Sequence, residues 1–258
     1  MTTGPLHITS RANALLVRVR RLARDGAAYR RLGAVWLEGE HLCEAAAARG
    51  LAVEQALVTE SAWSDPRRRA LAQAATRVAL VPDAQFANLS ALGSPADIGF
   101  IVAVPAQACA RIDVETVVLD RVQDAGNVGS ILRSAAALGV RQVLAVEGTA
   151  ALWSPKVLRA GMGAHFALTL VEGLTEAELL GLGLPLVGTS SHKAQPLPPA
   201  VLPQPAAWLF GHEGQGASPA LLAACGTVVG IPQPGGQESL NVAAAAAICL
   251  YEALRRRQ

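Results

Sequence analysis

The chain has 258 residues, of which 52% are hydrophobic, and its 22 Lys and Arg against 20 Asp and Glu give a formal charge of +2. This composition excludes a disordered chain, and the length suits two modest domains. No apolar run is long enough to cross a bilayer and the first residues lack a signal-peptide pattern, so we expect a cytoplasmic protein without membrane contact. The four cysteines are scattered and the five histidines form no ligand-spaced cluster, so neither a disulfide framework nor a metal site is predicted.

The first part of the chain predicts a small α/β domain over residues 1–105. A basic amphipathic helix over residues 12–24, with Thr9 or Ser10 as its N-cap, opens it. The stretch from Arg11 to Arg31 holds seven arginines and a single acid, Asp25. Such a face is either an ordinary solvated surface or a phosphate-binding edge. Short strands and helices follow, and residues 105–111 are predicted to be the linker.

The second part, residues 112–258, alternates strand and helix more regularly, which predicts an α/β domain with a mostly parallel sheet. We expect a helix over residues 128–138, a strand over 165–171, and a capping box formed by Thr175 and Glu178. Ser154 and Ser218, each followed by a proline, are expected to start two further helices. A last helix is predicted from near Asn241 to Arg257. The proline-rich residues 194–205 are expected to form an extended surface connection without chemistry.

Three segments that follow predicted strands carry the polar residues of chemical interest. The first holds Asn127 and, on the helix face opposite the apolar stripe, Arg133; the second places three glycines around Glu213. The third leads through Ser239 and Asn241 into a helix with five successive alanines. Taken singly, each has an ordinary interpretation as a solvated arginine, a tight turn or a helix cap. Ligands of α/β proteins also bind at such strand ends, so the functional interpretation stays open.

Together, these segments closely resemble the three motifs of the SpoU (TrmH) family of RNA ribose 2′-O-methyltransferases, within the SPOUT superfamily. The matching positions are Asp124, Asn127, Gly129, Arg133 and Gly139, then Gly211, Glu213, Gly214 and Gly216, then "IP" with "SLNV". The N-terminal "ITS", the basic helix and the "EG" after a strand resemble the substrate-binding domain that often precedes these motifs. Ala125 stands where proline is usual, and "QPGGQE" replaces a methionine-containing sequence.

The resemblance implies an α/β-knot, a deep trefoil knot in the C-terminal domain, in a homodimer with shared active sites. It implies S-adenosylmethionine as methyl donor, with no metal required. The positions that it assigns to the cofactor are Thr189, Gly211, Ile231 and Leu240. Those that it assigns to catalysis are Asn127, Arg133, Glu213, Ser239 and Asn241. The family often gives Arg133 the proton-accepting role, but a guanidinium is effectively always protonated. We therefore expect Arg133 to clamp a phosphate and stabilise developing alkoxide charge.

RNA is the expected partner, and the basic segment supplies its candidate phosphate contacts, which are Arg11, Arg18, Arg20, Arg21, Arg30 and Arg31. Only 4% of residues are aromatic, so structured RNA fits better than a stacked single strand. Ribosomal RNA is favoured and tRNA is the alternative substrate. Two other classes stay open, namely a catalytically silent RNA-binding or ribosome-assembly protein of the same fold and a nucleotide-binding metabolic enzyme.

Overall fold

The computed structural model describes residues 4–90, 95–191, 194–235 and 239–257. The chain forms two compact units, one of Met1–Ala106 with Trp153–Phe166, the other of Gln107–Leu152 with Ala167–Gln258. The first break lies close to the predicted end of the first domain at residue 105. The segment Trp153–Phe166 lies within the predicted range 112–258, yet it groups with the first unit. The functions assigned to the two domain ranges stay predictions.

The described chain contains helices and strands throughout its length. Up to residue 106 they are β1 (Leu6–His7), α1 (Ala14–Arg24), α2 (Ala28–Leu32), β2 (Ala34–Glu38), α3 (Glu40–Ala48), β3 (Val53–Thr59), α4 (Glu60–Trp63), α5 (Pro66–Ala72), β4 (Val78–Val81), α6 (Asp83–Leu89) and β5 (Ile98–Ala103). After it they are β6 (Thr116–Asp120), α7 (Ala125–Ala137), β7 (Gln142–Val146), α8 (Pro155–Gly161), the 3-10 helix Ala164–Ala167, β8 (Thr169–Leu174), α9 (Glu176–Gly181), β9 (Leu186–Thr189), β10 (Gln195–Pro196), β11 (Ala207–Gly211), α10 (Pro219–Ala223), β12 (Thr227–Gly230) and α11 (Val242–Arg255).

The first unit is built on a five-stranded mixed sheet in the order β1-β4-β3-β5-β2. Strands β1, β4 and β3 run parallel, and β5 pairs antiparallel with both β3 and β2. Helix α1 packs its apolar stripe of Leu16, Val19 and Leu22 into the core of this unit. Its arginines therefore lie on the outer side, as the 3.6-residue period requires.

The N-cap predicted for α1 was wrong. The helix begins at Ala14, and Asn13 is the cap, because its side-chain oxygen accepts from the amide of Leu15 at 2.9 Å. Ser10 instead accepts from the amide of Ala12 before the helix starts. Short polar side chains at several successive positions all suit a cap, so spacing alone did not select the right one.

The second unit is built on a seven-stranded sheet in the order β10-β12-β9-β11-β6-β7-β8. Every strand pairing in it is parallel, which confirms the predicted mostly parallel α/β domain. The residues of β6, β7 and β11 are buried throughout, as expected for strands covered on both faces. The trefoil knot implied by the resemblance stays a prediction.

Three helix starts after residue 150 follow the predicted caps closely. Ser154, Ser218 and Thr175 each accept a backbone N–H, and Thr175 with Glu178 forms the predicted capping box. Three predictions need correction. Helix α7 begins at Ala125 because Asp124 caps it, residues 164–167 form a 3-10 helix before β8, and the proline-rich segment contributes β10 to the sheet. None of the described helices is long and apolar enough to span a membrane.

Candidate active site

The three predicted loops leave the sheet at the carboxyl ends of β6, β11 and β12. Strands β6 and β11 are neighbours, with Gly211 in register with Asp120 at their ends. Because all these strands are parallel, their carboxyl ends lie along one edge of the sheet, where α/β proteins bind ligands. The fold thus brings together segments that are about 90 residues apart in the sequence.

A chain of side-chain hydrogen bonds joins the three loops. The amide nitrogen of Asn127 donates to Oε1 of Glu213 at 3.1 Å. The amide oxygen of Asn127 accepts from Nδ2 of Asn241 at 2.9 Å. Asn241 is also the N-cap of α11, and its oxygen accepts from the amides of Ala243 and Ala244. Asn127 therefore uses both ends of its amide group, which fixes the orientation of that group between the second and third loops.

Glu213 is held as a carboxylate at the start of α7. Besides Asn127, its two oxygens accept from the backbone amides of Gln123 and Asp124, at 3.2 and 3.1 Å. Partial burial acts to raise the pKa of Glu213, but the bonds from Asn127 and from the backbone amides outweigh it and lower the pKa. A negative charge at a helix N-terminus is favourable in its own right. Glu213 thus stays ionised around neutral pH.

A cavity of about 600 Å³ opens beside this network. All four positions assigned to the cofactor line it, together with three of those assigned to catalysis, and these seven are Thr189, Gly211, Ile231, Leu240, Glu213, Ser239 and Asn241. Its size falls within the range of small-molecule sites, and its walls offer both apolar side chains and backbone polar groups. Backbone donors and acceptors beside an apolar wall suit an adenine edge and a thioether, so the residues fit S-adenosylmethionine.

Gly211 shows why the second loop needs a glycine. A Cβ placed on this residue would lie 2.0 Å from the amide nitrogen of Ala217 and 2.2 Å from the carbonyl carbon of Gly216. Such distances are far below van der Waals contact, and both neighbours are backbone atoms that cannot rotate away. The return of the loop onto the end of β11 therefore requires the absence of a side chain.

Arg133 lies apart from this network. It projects from the exposed side of α7, opposite the buried Ile131, Leu132 and Ala135, as its helical position predicted. Among the described residues, no side chain or carbonyl forms a hydrogen bond or ion pair with its guanidinium. An arginine without an internal partner is available for a ligand phosphate.

The sequence interpretation missed three residues of the second loop's surroundings. Asp120 is fully buried, accepts the amide of Ser218 at 2.6 Å, and pairs with Arg121 at 2.9 Å. Arg121 adopts a left-handed backbone with φ 57° and also donates to Gln215 at 3.2 Å. His212 accepts two backbone amides within its own loop. The segments "LDR" and "GHEGQG" contain these residues, but their roles become evident only from the hydrogen bonds in the structure.

The six arginines predicted to bind RNA differ in their surroundings. Arg18 forms a two-pronged ion pair with Glu54, at 2.6 and 3.0 Å, and Arg31 pairs with Asp25 at 2.9 Å. Arg11, Arg20 and Arg21 have no carboxylate partner within the part of the chain that the structure describes. Arg20 donates to a backbone carbonyl, Arg30 lies 5.4 Å from the ring centroid of Tyr29, and Arg11 and Arg21 are exposed.

No group of three or more His, Cys, Asp or Glu side chains in the described part of the chain has the geometry of a metal site.

Comparison with known proteins identifies the class. The sequence profile of the SpoU rRNA Methylase family matches residues 115–251. An uncharacterized tRNA/rRNA methyltransferase of Synechocystis sp. is 32% identical over 271 residues, covering 99% of this chain and 96% of that protein. The 23S rRNA (guanosine(2553)-2′-O)-methyltransferase RlmP of Bacillus subtilis is 30% identical over 218 residues, covering 83% of this chain and 86% of the relative.

A solved structure agrees. The SpoU methyltransferase AviRb from Streptomyces viridochromogenes, in complex with the cofactor AdoMet, matches with a TM-score of 0.84 and 29% identity over 95% of this chain and 98% of that one. The fold and site define a methyltransferase of the SPOUT type. The chain belongs to the SpoU rRNA methylase family, and the family predicted from its motifs is confirmed.

Proposed function

We propose that this protein transfers the methyl group of S-adenosylmethionine to a ribose 2′-hydroxyl of ribosomal RNA. The observation that carries the proposal is the Glu213–Asn127–Asn241 chain beside the cavity. It joins the three family motifs in one site. The predicted class, an S-adenosylmethionine-dependent RNA 2′-O-methyltransferase, is confirmed by the family and by the named relatives. Ribosomal RNA is the substrate because relatives covering most of this chain are named for 23S rRNA.

S-adenosylmethionine, when bound, supplies an electrophilic methyl carbon on sulfonium sulfur. The chain must hold the ribose 2′-oxygen in line with that carbon while the new C–O bond forms and the S–C bond breaks. Thr189, Gly211, Ile231 and Leu240 form the cofactor wall in this proposal, through backbone groups and apolar contact. Glu213 cannot donate a proton as a carboxylate, so we assign it and Asn241 to fixing Asn127, whose amide orients the ribose.

The 2′-hydroxyl proton must leave as the oxygen attacks. Arg133 is the proposed catalytic group because its guanidinium is exposed and unengaged among the described residues. A permanent cation stabilises developing alkoxide charge and clamps the adjacent phosphate, which is the group that accepts the proton in this scheme. Ser239 lines the cavity and completes its polar wall.

RNA capture is assigned to the basic face of α1 and the residues around it. Arg11 and Arg21 are the strongest candidates, since no carboxylate of the described chain neutralises either. Arg20 and Arg30 are further candidates. Arg18 and Arg31 already face Glu54 and Asp25, so we expect a smaller contribution from each.

The homodimer is also a proposal. Helix α11 carries an exposed apolar stripe in which Ile248 is 42% and Tyr251 59% accessible, and Leu240 before the helix is 39% accessible. Exposed apolar stripes of this kind mark interaction surfaces. Light scattering after size-exclusion chromatography is expected to give twice the chain mass, and Ile248→Glu is expected to shift it toward one chain mass. The cytoplasm stays the predicted location.

The reaction is tested with total RNA from cells that lack the gene. The protein is incubated with this RNA and methyl-labelled S-adenosylmethionine, and the RNA is then fractionated and digested to nucleosides. We expect label in 2′-O-methylribose nucleosides of the large ribosomal RNA. Label in tRNA instead would move the substrate assignment, and no label from a folded protein would favour the silent RNA-binding alternative.

A further inference from the structure

The side chain of His212 stabilises the loop that follows β11 by hydrogen bonds within that loop. The imidazole Nδ1 of His212 accepts from the backbone amide of Gly214 at 2.9 Å and from that of Gln215 at 3.2 Å. The backbone of His212 also pairs with Gly216, through bonds of 3.1 and 2.8 Å in opposite directions. Four hydrogen bonds thus close a turn of five residues, with Glu213 within it.

This turn forms one wall of the cavity, since all five residues from His212 to Gly216 line it. Its shape also sets the position of Glu213, which accepts the side-chain amide of Asn127. A change in the turn would therefore reach both the cavity wall and the hydrogen-bond chain of the three motifs.

The two donors define the protonation state that the turn needs. A backbone N–H requires a lone pair, so Nδ1 must be unprotonated and the ring proton of the neutral form must sit on Nε2. In the imidazolium both ring nitrogens carry hydrogen and neither accepts. Protonation of His212 would place an N–H group opposite the two backbone N–H donors. The hydrogen bonds from Gly214 and Gln215 to the imidazole would then be lost.

We propose that His212 is a positioning residue for the cofactor cavity, and that the cavity binds its adenosyl ligand well only while His212 is neutral. This inference rests on the proposed function, because it takes the cavity to be the S-adenosylmethionine site. Imidazole side chains in general change charge between about pH 5 and 8, and this interval sets the pH values used in the test.

Among the residues that the structure describes, few other charged or titratable groups surround the turn. Those contributed by the turn, the end of β6, the start of α7 and the cavity face of α11 are Glu213, Asp120, Arg121, Asp124 and Cys249. Burial raises the pKa of Glu213, but hydrogen bonds from Asn127 and the backbone amides outweigh it and lower the pKa. The Asp120 carboxylate raises the pKa of Arg121. Both groups therefore keep their charge between about pH 5 and 8. Burial raises the pKa of the Cys249 thiol to about 12.

The test uses two substitutions at His212 that separate its acceptor from its titration. In H212N the side-chain oxygen offers an acceptor near the position of Nδ1 but cannot be protonated. In H212A the acceptor is lost at every pH. The control is His41→Asn, which removes a histidine from an exposed position of α3 in the other compact unit.

Affinity for S-adenosylhomocysteine, the unreactive product, is measured by calorimetry at about pH 7.5 and pH 5.5, with circular dichroism confirming folding of each variant. The wild type and H41N are expected to bind about tenfold more weakly at the lower pH. H212A is expected to bind about tenfold more weakly than wild type at the higher pH, and H212N to recover most of that loss and show little pH dependence.

The outcomes separate the two proposals. If folded wild type binds no S-adenosylhomocysteine at either pH, the cofactor assignment of the cavity is wrong, and with it the proposed function. If wild type binds but H212A binds equally well, or H212N keeps the full pH dependence, the role given to His212 is wrong and the proposed function stands.

Discussion

The side chains of Asn127 and Asn241 are joined by one hydrogen bond of 2.9 Å, and this bond spans 114 residues of sequence. Its donor belongs to the N-cap of α11 and its acceptor to the first turn of α7. Helices α7 and α11 thus meet at their polar N-terminal ends. The bond couples the start of the last helix to the residue that we assign to orienting the ribose.

Substitutions at Asn241 separate its two tasks. Asn241→Asp keeps an oxygen for the amides of Ala243 and Ala244 but loses the donor to Asn127, whereas Asn241→Ala loses both. Asp and Asn cap helices about equally well, so urea unfolding is expected to show little change for N241D and a loss of about 1 kcal/mol for N241A. Methyl transfer is expected to fall about tenfold or more in both variants. Full turnover by N241D would contradict the positioning role of this bond.

Removal of the Arg133 guanidinium is expected to weaken the contact with the RNA phosphate and slow the chemical step, and to leave the fold and the cofactor site unchanged. Arg133→Ala deletes an exposed side chain without partners in the described chain, so thermal stability and S-adenosylhomocysteine affinity should stay near wild type. Loss of a preorganised charge at the reacting oxygen typically costs about 10²–10³ in kcat.

Arg133→Lys is the matched control for that experiment. Lysine keeps the charge but not the planar fork that grips a phosphate at two points, so partial activity is expected. If R133A turned over at nearly the wild-type rate, Arg133 would be an ordinary solvated arginine.

Local signals predicted much of the fold. Ser154, Ser218 and Thr175 each start a helix as expected, because a cap is decided by two or three neighbouring residues. Sequence signals predicted the wrong helix start where neighbouring residues favoured different structures. Gly126 and Asn127 are poor helix formers, which concealed that α7 begins at Ala125 under the Asp124 cap. Strand β10 has only two residues, so it shows no alternation of apolar and polar positions. It forms because it pairs with the edge of β12.

The sequence predicted which residues form the site, but not the hydrogen bonds that join them. Motif order indicated Asn127, Glu213 and Asn241, and parallel strands explain why they meet. Nothing in the sequence indicates that Asn127 bonds to both of the others, because that depends on side-chain directions at two helix ends. The buried Asp120 with its left-handed neighbour Arg121 was missed for the same reason, since its partner amide lies 98 residues away.

The ionised state of Glu213 gives a pH dependence of stability. Because its pKa is lowered in the folded protein, ionisation of this carboxyl stabilises the fold above the unfolded-state pKa near 4.5, and that contribution is lost as the pH falls through the folded value. Glu213→Gln removes the titration while keeping an acceptor oxygen. The melting temperature of wild type is therefore expected to exceed that of E213Q at neutral pH, with the difference shrinking in acid. A constant difference at all pH values would contradict this.

The basic face of α1 gives a prediction on salt dependence. If Arg11 and Arg21 contact phosphates, R11A/R21A should weaken RNA binding and reduce the slope of log affinity against log salt by about 1 for each lost contact. R31A is expected to have a smaller effect because Arg31 already pairs with Asp25. Arg77, an exposed arginine outside this face, supplies the control for the single variants R11A and R21A, because R77A likewise removes one positive charge. An equal change of slope in R77A would mean that only net charge matters.

The backbone of the second loop at Gly216 and Ala217 lies so close to Gly211 that we expect no side chain to be tolerated there. In Gly211→Ala the new methyl group would lie 2.0 Å from the amide nitrogen of Ala217, so the loop must move. Overpacking of this kind costs about 1–3 kcal/mol, which lowers the melting temperature by about 2–4 °C for each kcal/mol in a protein of this size. Because Gly211 and the turn after it line the cavity, S-adenosylhomocysteine binding should fall as well.

Gly226→Ala is the control, since a Cβ there meets no atom within 4 Å. Its stability and affinity should match wild type, and equal behaviour of the two variants would mean that the loop does not need its close approach to β11.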